Sequence, residues 1–292
     1  MLVIYYTKLK IGKGHTMKVF SLSDYEQEIS PQLSPEWKGD AIDYLIYGKQ
    51  FSDIIFDFQM AALSTPLEKN IRIRFVKCSF GNNVFVKSQA QKLVFHFEDC
   101  FFDHIVTSAE AGQGFLTGVK IFDARNCRFE QCRFHADNHA NSDWCDFKME
   151  KCVFEQCSFS GQCTYYAFYV RDCKFIGCQF KNMEYETCDV PEIIDCEVRS
   201  CIFRHLKIRG DLCLYVCGSC FSNCSLEDIE WHIEGFLECD FDNITIKDAN
   251  LYQGYLKNSR LQNINILSVK MQGDLEGNIT DNIISTDFCI ET

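Results

Sequence analysis

A chain of 292 residues, 47% apolar and 24% charged, has the composition of a protein that buries a sizeable core. Its 29 basic against 41 acidic residues leave a net charge of −12, which repels bare nucleic acid and anionic membrane and suits a basic partner. No apolar run approaches the roughly 20 residues a bilayer crossing requires, and Leu2–Tyr6 is too short for a secretory core, so the expectation is a cytoplasmic protein.

Met17 follows a short basic segment, which makes residues 1–16 a peripheral extension. Residues 17–70 read as an N-terminal cap that is partly helical. Ser23-Asp-Tyr-Glu26 has capping-box spacing, and Trp37, Ile42, Leu45, Ile46 and Phe51 recur at helical intervals after Pro35.

From residue 78 the chain repeats itself. Cys127-Arg-Phe129-Glu-Gln-Cys132-Arg-Phe134 is followed by Cys152-Val-Phe154-Glu-Gln-Cys157-Ser-Phe159 and Cys173-Lys-Phe175-Ile-Gly-Cys178-Gln-Phe180. Cys196-Glu-Val198-Arg-Ser-Cys201-Ile-Phe203 and Cys239-Asp-Phe241-Asp-Asn-Ile244-Thr-Ile246 continue the series. Each is a doubled five-residue unit: a small residue, a spacer, a large apolar residue and two polar ones. With Cys127, Cys152, Cys173, Cys196, Ser219, Cys239 and Ser259 as starts, the steps are 25, 21, 23, 23, 20 and 20 residues. Cys78-Ser-Phe80 and Cys100-Phe-Phe102 extend the series upstream.

A step near 20 is four five-residue faces, one square coil with the small and large residues pointing inward. Nine coils stacked at the spacing of parallel strands, ~4.8 Å, reach about 40 Å. The 19 cysteines are therefore small apolar fillers beneath a column of Phe rings. An odd count in a long chain does not suit a disulfide scaffold. The 26 Phe against only four Pro agree, because Pro removes a ladder donor.

The pattern resembles the pentapeptide-repeat family, whose unit is A-(D/N)-L-x-x with Cys, Ser or Thr allowed at the small position and Phe at the large one. The resemblance covers about two thirds of the chain, and Ala249-Asn-Leu251-Tyr-Gln and Ser259-Arg-Leu261-Gln-Asn lie closest to that unit. It implies an all-β fold, a right-handed parallel β-helix, and a bacterial protein. The expected division is an N-terminal extension and cap over 1–70, the solenoid over 71–270 and a C-terminal cap over 271–292.

Residues 103–120 interrupt the repeat and read as a projecting loop. Cys213, Cys217, Cys220 and Cys224 have metal-like spacing, but ordinary repeat units explain them equally, so no metal or cofactor is assigned. His205 and His232 flank that cluster, and Asp123, Asp195 and Glu197 are the carboxylates an enzyme of this shape would use. Polar residues on the outer face are what the repeat demands, and the expectation is a protein without catalytic activity.

The most distinctive stretch is 225–250, where Glu227, Asp228, Glu230, Glu234, Glu238, Asp240, Asp242 and Asp248 oppose Lys247, with Trp231 and Tyr252 nearby. Its field attracts a basic surface, and Trp231 reads as an interface anchor. A basic strip of Arg199, Arg204, Lys207 and Arg209 lies one coil earlier, where the expectation is that it pairs with the acidic wall above it at little gain in stability. The resemblance implies protein-binding roles: DNA mimics that bind type II topoisomerases, immunity proteins that neutralise a toxin, and scaffolds of bacterial effectors. An inhibitor or immunity-type protein that binds a basic toxin or enzyme through Glu227, Asp228, Glu230, Trp231, Glu234, Glu238, Asp240 and Asp242 is the leading expectation. It involves no direct nucleic acid or membrane contact and leaves the oligomeric state open.

Overall fold

The computed structural model describes residues 7–11, 15–21, 41–58, 70–82, 84–88, 93–106, 119–136, 146–164, 168–187, 192–210 and 214–291. All regular structure in them is β, and the long-range pairing is parallel: the chain is a parallel β-solenoid. It divides into two compact units, residues 1–135 with 139–146 and residues 136–138 with 147–292.

In the first unit, strand Ala41–Tyr47 pairs with Asn70–Val76, which pairs with Leu93–Glu98, which pairs with Val119–Arg125. The adjoining wall aligns Phe51 with Phe80, Phe80 with Phe102 and Phe102 with Phe129. Parallel register puts identical side chains one above another, so these rings stack at centroid distances of 5.2, 4.8 and 4.5 Å. A third wall aligns Ile54–Phe58 with Val84–Ser88, and His15–Ser21 joins it in parallel.

The helix expected after Pro35 does not form where the chain is described: Ala41–Tyr47 and Gln50–Phe51 are strands. Ile46 is buried, whereas Leu45 and Tyr47 on either side are 43% and 58% exposed. That alternation is the period of a pleated strand. Trp37 and the capping box at Ser23–Glu26 lie outside the described residues.

In the second unit the expected starts become one column. Phe154 pairs with Phe175, Phe175 with Val198, Val198 with Phe221, Phe221 with Phe241 and Phe241 with Leu261. On the next wall Phe159, Phe180 and Phe203 stack at 4.6 and 4.7 Å. The pairing runs past residue 270: Arg260–Asp274 is in register with Ile279–Glu291, and Asn278 continues the small-residue column after Ser259.

Corners are made by the residue that precedes each small one. Asn126, Gln131, Gln156, Asp195, Asn223, Asn243 and Asn263 all have φ between 51° and 55°. Asn and Asp tolerate this left-handed conformation best among residues with a side chain, and Gly177, Gly218 and Gly277 occupy the same position. This sharp corner aims the next residue's amide inward, where a side chain of the following coil accepts it. Cys152 N donates to Cys173 Sγ (3.3 Å), Cys196 N to Ser219 Oγ (3.1 Å), Cys239 N to Ser259 Oγ (3.0 Å) and Ser259 N to Asn278 Oδ1 (2.9 Å). The small position therefore calls for an acceptor as well as a small volume, which accounts for Cys and Ser in place of Ala.

Candidate interaction face

The residues singled out at 225–250 fall on strands Ser225–Leu237 and Asp240–Lys257 or, for Glu238, between them, held against Ile202–Gly210 on one side and Arg260–Asp274 on the other. Spacer positions point outward, so the acids are ordered by the same register that orders the core. Asp228, Glu238 and Asp248 are corner residues with φ of 53°, 55° and 51°. Glu227, Glu230, Asp240 and Asp242 are outward spacers within strands.

Within 225–250 Lys247 is the one cation, but register brings the acids cations from both neighbouring coils, the expected basic strip among them. Glu227 accepts from Arg204 Nη2 at 2.8 Å and lies 3.6 Å from Lys247 Nζ, and Arg204 holds its carboxyl below the ordinary range. Asp228 Oδ2 is 2.7 Å from His205 Nδ1, and Asp240 takes both ends of the Arg260 guanidinium at 3.0 and 3.4 Å. Lys207 stands in register with Glu230, and Asp242 accepts from Asn263 Nδ2 at 2.9 Å. Glu227, Asp240 and Asp248 therefore lie within 4 Å of Arg204, Lys247 or Arg260, and Glu230 stands beside Lys207. The surface is negative, but as a lattice of partly compensated charges and not as a bare acidic wall. Glu234 lies on the strand, and its side chain is outside the described residues.

Trp231 is not a surface anchor. It occupies the large inward position of the unit Ile229-Glu230-Trp231, in register between Ile208 and Leu251, and is 7% exposed. It packs in a core cluster with Leu206, Ile229, Ala249 and Val269. The unit spacing carried that signal, with Ile229 taking the place of the usual small residue.

The other candidate groups are dispersed. Cys224 is buried, with Sγ donating to Val198 O (3.5 Å) and Ser222 O (3.2 Å), whereas Cys220, on strand Cys220–Ser222, is exposed; Cys213 lies outside the described residues. Cys178 and Cys201 are pushed up to about 12 by hydrogen bonding to the thiol of the preceding coil, Cys157 and Cys178 respectively, and by burial. Buried thiols of that kind are poor nucleophiles. Asp123 pairs with His96 at 3.0 Å, Glu197 with Lys174 at 2.7 Å, and Asp195 is a corner residue. The side chain of His232 and most of the 103–120 loop lie outside the described residues.

No protein-family model matches the chain, and no curated protein does. Among solved structures, it is similar to HetL, a pentapeptide repeat protein involved in heterocyst differentiation regulation from the cyanobacterium Nostoc sp. strain PCC 7120. The identity is 7% over 84% of this chain and 86% of that one, with a TM-score of 0.34. It is also similar to QnrB1, a plasmid-mediated fluoroquinolone resistance protein, at 11% identity over 82% and 89% of the two chains and a TM-score of 0.16. A mannuronic acid specific polysaccharide family 6 lyase from human gut microbiota is similar at 10% identity over 90% and 81%, with a TM-score of 0.26. The stacked coils of five-residue units are the architecture implied by the pentapeptide-repeat resemblance in the sequence.

Proposed function

We propose that the chain is a non-catalytic protein-binding solenoid, an inhibitor or immunity-type protein that occludes a basic toxin or enzyme through the outer surface of coils 225–250. The observation that carries this reading is the in-register array of carboxylates on that surface, fixed by continuous parallel pairing from Ile202 to Asp274. A surface held by the backbone ladder loses little conformational freedom on binding, so charge complementarity is converted to affinity with small ordering cost. The in-register cations sharpen the recognition, because a partner must match a pattern and not merely a sign.

The test is affinity capture from the source organism's lysate at low and high salt, with wild type and a Glu230→Lys/Asp242→Lys variant side by side. A basic toxin-like protein retained at low salt by wild type, and lost by a variant with unchanged circular dichroism, is the expected result. Equal retention by both removes the face from the reading. Recovery of type II topoisomerase subunits would instead favour DNA mimicry.

A further inference from the structure

The last coil departs from the pattern that the earlier ones keep. Strand Ile279–Glu291 takes backbone partners from Arg260–Asp274 on one edge, and among the described residues its other edge is unpaired. Register aligns its outward positions with those of the preceding coil, which are Arg260, Asn265 and Lys270. On the last coil the same positions are Ile279, Ile284 and Cys289, and the two isoleucines are 69% and 60% exposed. Polar spacers have given way to apolar ones along an open strand edge.

The lumen is open at the same place. The ring columns that end at Phe203 and Phe241 continue as Leu226, Ile246 and Ile266 and as Leu261 and Thr280. Smaller side chains in a coil of unchanged length leave a cavity of about 450 Å³, lined by Leu261, Ile264 and Ile266 and, where it reaches the surface, by Leu275 and Ile283. Ile264 and Ile283 are in register; the first, covered by its successor, is 2% exposed and the second 37%.

Charge selects what covers this end. Residues 271–292 include Asp274, Glu276, Asp281, Asp287 and Glu291 and no Lys or Arg. Glu276 lies 3.6 Å from Lys257, while Asp281 and Asp287 are exposed with no ion pair among the described residues. A second copy meeting this end through its own last coil would set acid against acid, which disfavours it. A basic strand is drawn in by the same field, and an unpaired edge is a template for a further strand. Corners at Asn282 and Asp287, both with φ of 53°, bound the wall Ile283–Thr286, so a straight strand pairs along that wall alone.

We propose that this wall takes up an extended basic segment of a partner protein as one further strand. The segment's backbone bonds to the free edge of Ile283–Thr286, its inward apolar side chains lie over Ile283 and the open lumen, and cations at its two ends stand by Asp281 and Asp287. The site is separate from the charged surface of coils 225–250.

The probe is a seven-residue peptide, acetylated and amidated, with arginine at both ends and valine and threonine alternating between them, titrated calorimetrically into the full chain at low salt. Saturable 1:1 binding is expected, with slowed hydrogen exchange at the free amides of Ile283–Thr286. Exchanging the arginines for glutamates should weaken binding at least tenfold. N-methylation of one alternate set of peptide amides should do the same, because a strand turns every second N–H to the same side. Ile284→Lys/Asp287→Lys changes two exposed side chains, and lysine already occupies such corners at Lys77 and Lys151. It should lose at least tenfold in affinity with circular dichroism unchanged, whereas Glu230→Lys/Asp242→Lys should bind the peptide as wild type does. Should the edge variant misfold, the glutamate and N-methyl peptides decide alone. Equal binding of the arginine and glutamate peptides, indifference to methylation of either set, undiminished binding by the folded edge variant, or loss in Glu230→Lys/Asp242→Lys overturns the proposal. So does a wild-type dimer that the edge variant dissociates, since a second copy would then be the occupant.

Discussion

The coils over 152–203 and those over 225–283 share one backbone and differ in what fills it. In the earlier coils Phe154 lies on Phe175 at 4.8 Å with planes 5° apart, above a column of buried cysteines. In the later coils Ile244, Ile264 and Ile283 occupy positions equivalent to those cysteines, and aliphatic side chains replace most rings. The parallel ladder and the left-handed corners are unchanged. Backbone register is thus specified by corners and acceptors, and packing quality is set separately by the side chains in the lumen.

Truncating the core should break the comparison most visibly. Phe175→Ala removes a buried ring between two neighbours and should cost about 3–5 kcal/mol, whereas Leu261→Ala enlarges space that already exists and should cost about 2 kcal/mol. Urea denaturation of both variants reads the difference, and equal losses would mean that the later coils are packed as tightly as the earlier ones. The corner comes next. A Cβ at Gly177 would meet nothing nearer than Gln156 Cγ at 3.8 Å, so the residue's φ of +63° alone sets the cost. Gly177→Val should then lose about 1–2 kcal/mol while Gly177→Asn stays close to wild type. Equal losses from the two would show that space, and not backbone conformation, selects glycine there.

Smallest is the surface. Lys174 pairs with Glu197 in the earlier coils as Arg260 pairs with Asp240 in the later ones, all on exposed side chains. Lys174→Ala should cost below about 1 kcal/mol, and high salt should erase the difference. Lys174 holds the Glu197 carboxyl below its ordinary value of 4.5. The contribution is therefore present above pH 4.5 and fades as acidification passes through the lower folded value. Thermal midpoints of wild type and variant should accordingly converge in acid, and a gap that widens there would contradict the pairing.

The coil starts from Cys152 to Ser259 were legible because each unit writes its inward residues in Cys and Phe, and the register aligns those starts. Ala41–Tyr47 was not, because Ile42, Leu45 and Ile46 mimic a helical interval and only the exposure of Leu45 reveals a strand. The segment from 271 was legible only as a terminal, irregular coil because Asn278 is no small apolar residue, yet its amide meets the equivalent corner N–H to those that Ser219 and Ser259 meet. For the candidate face, acidity was readable from sequence alone. Pairing of the Arg204 strip with that wall was readable too, one coil apart in the repeat, whereas compensation by Arg260 was not, since that partner stands about 20 residues further along the chain and becomes a neighbour only through stacking. Trp231 shows the converse failure: residue type suggested a surface role, while its place in the unit assigns it to the lumen.

The corner hydrogen bonds run in one direction. In all four cases described, the amide belongs to the earlier coil and the accepting side chain to the later one. Each turn is consequently provisional until its successor arrives, and a chain cut inside the repeat would leave an inward N–H without its acceptor. A nascent chain emerging from its N-terminus would lock each turn one coil behind the newest, as a zip closes behind its slider. The order of assembly is in this sense written into the side chains at the corners.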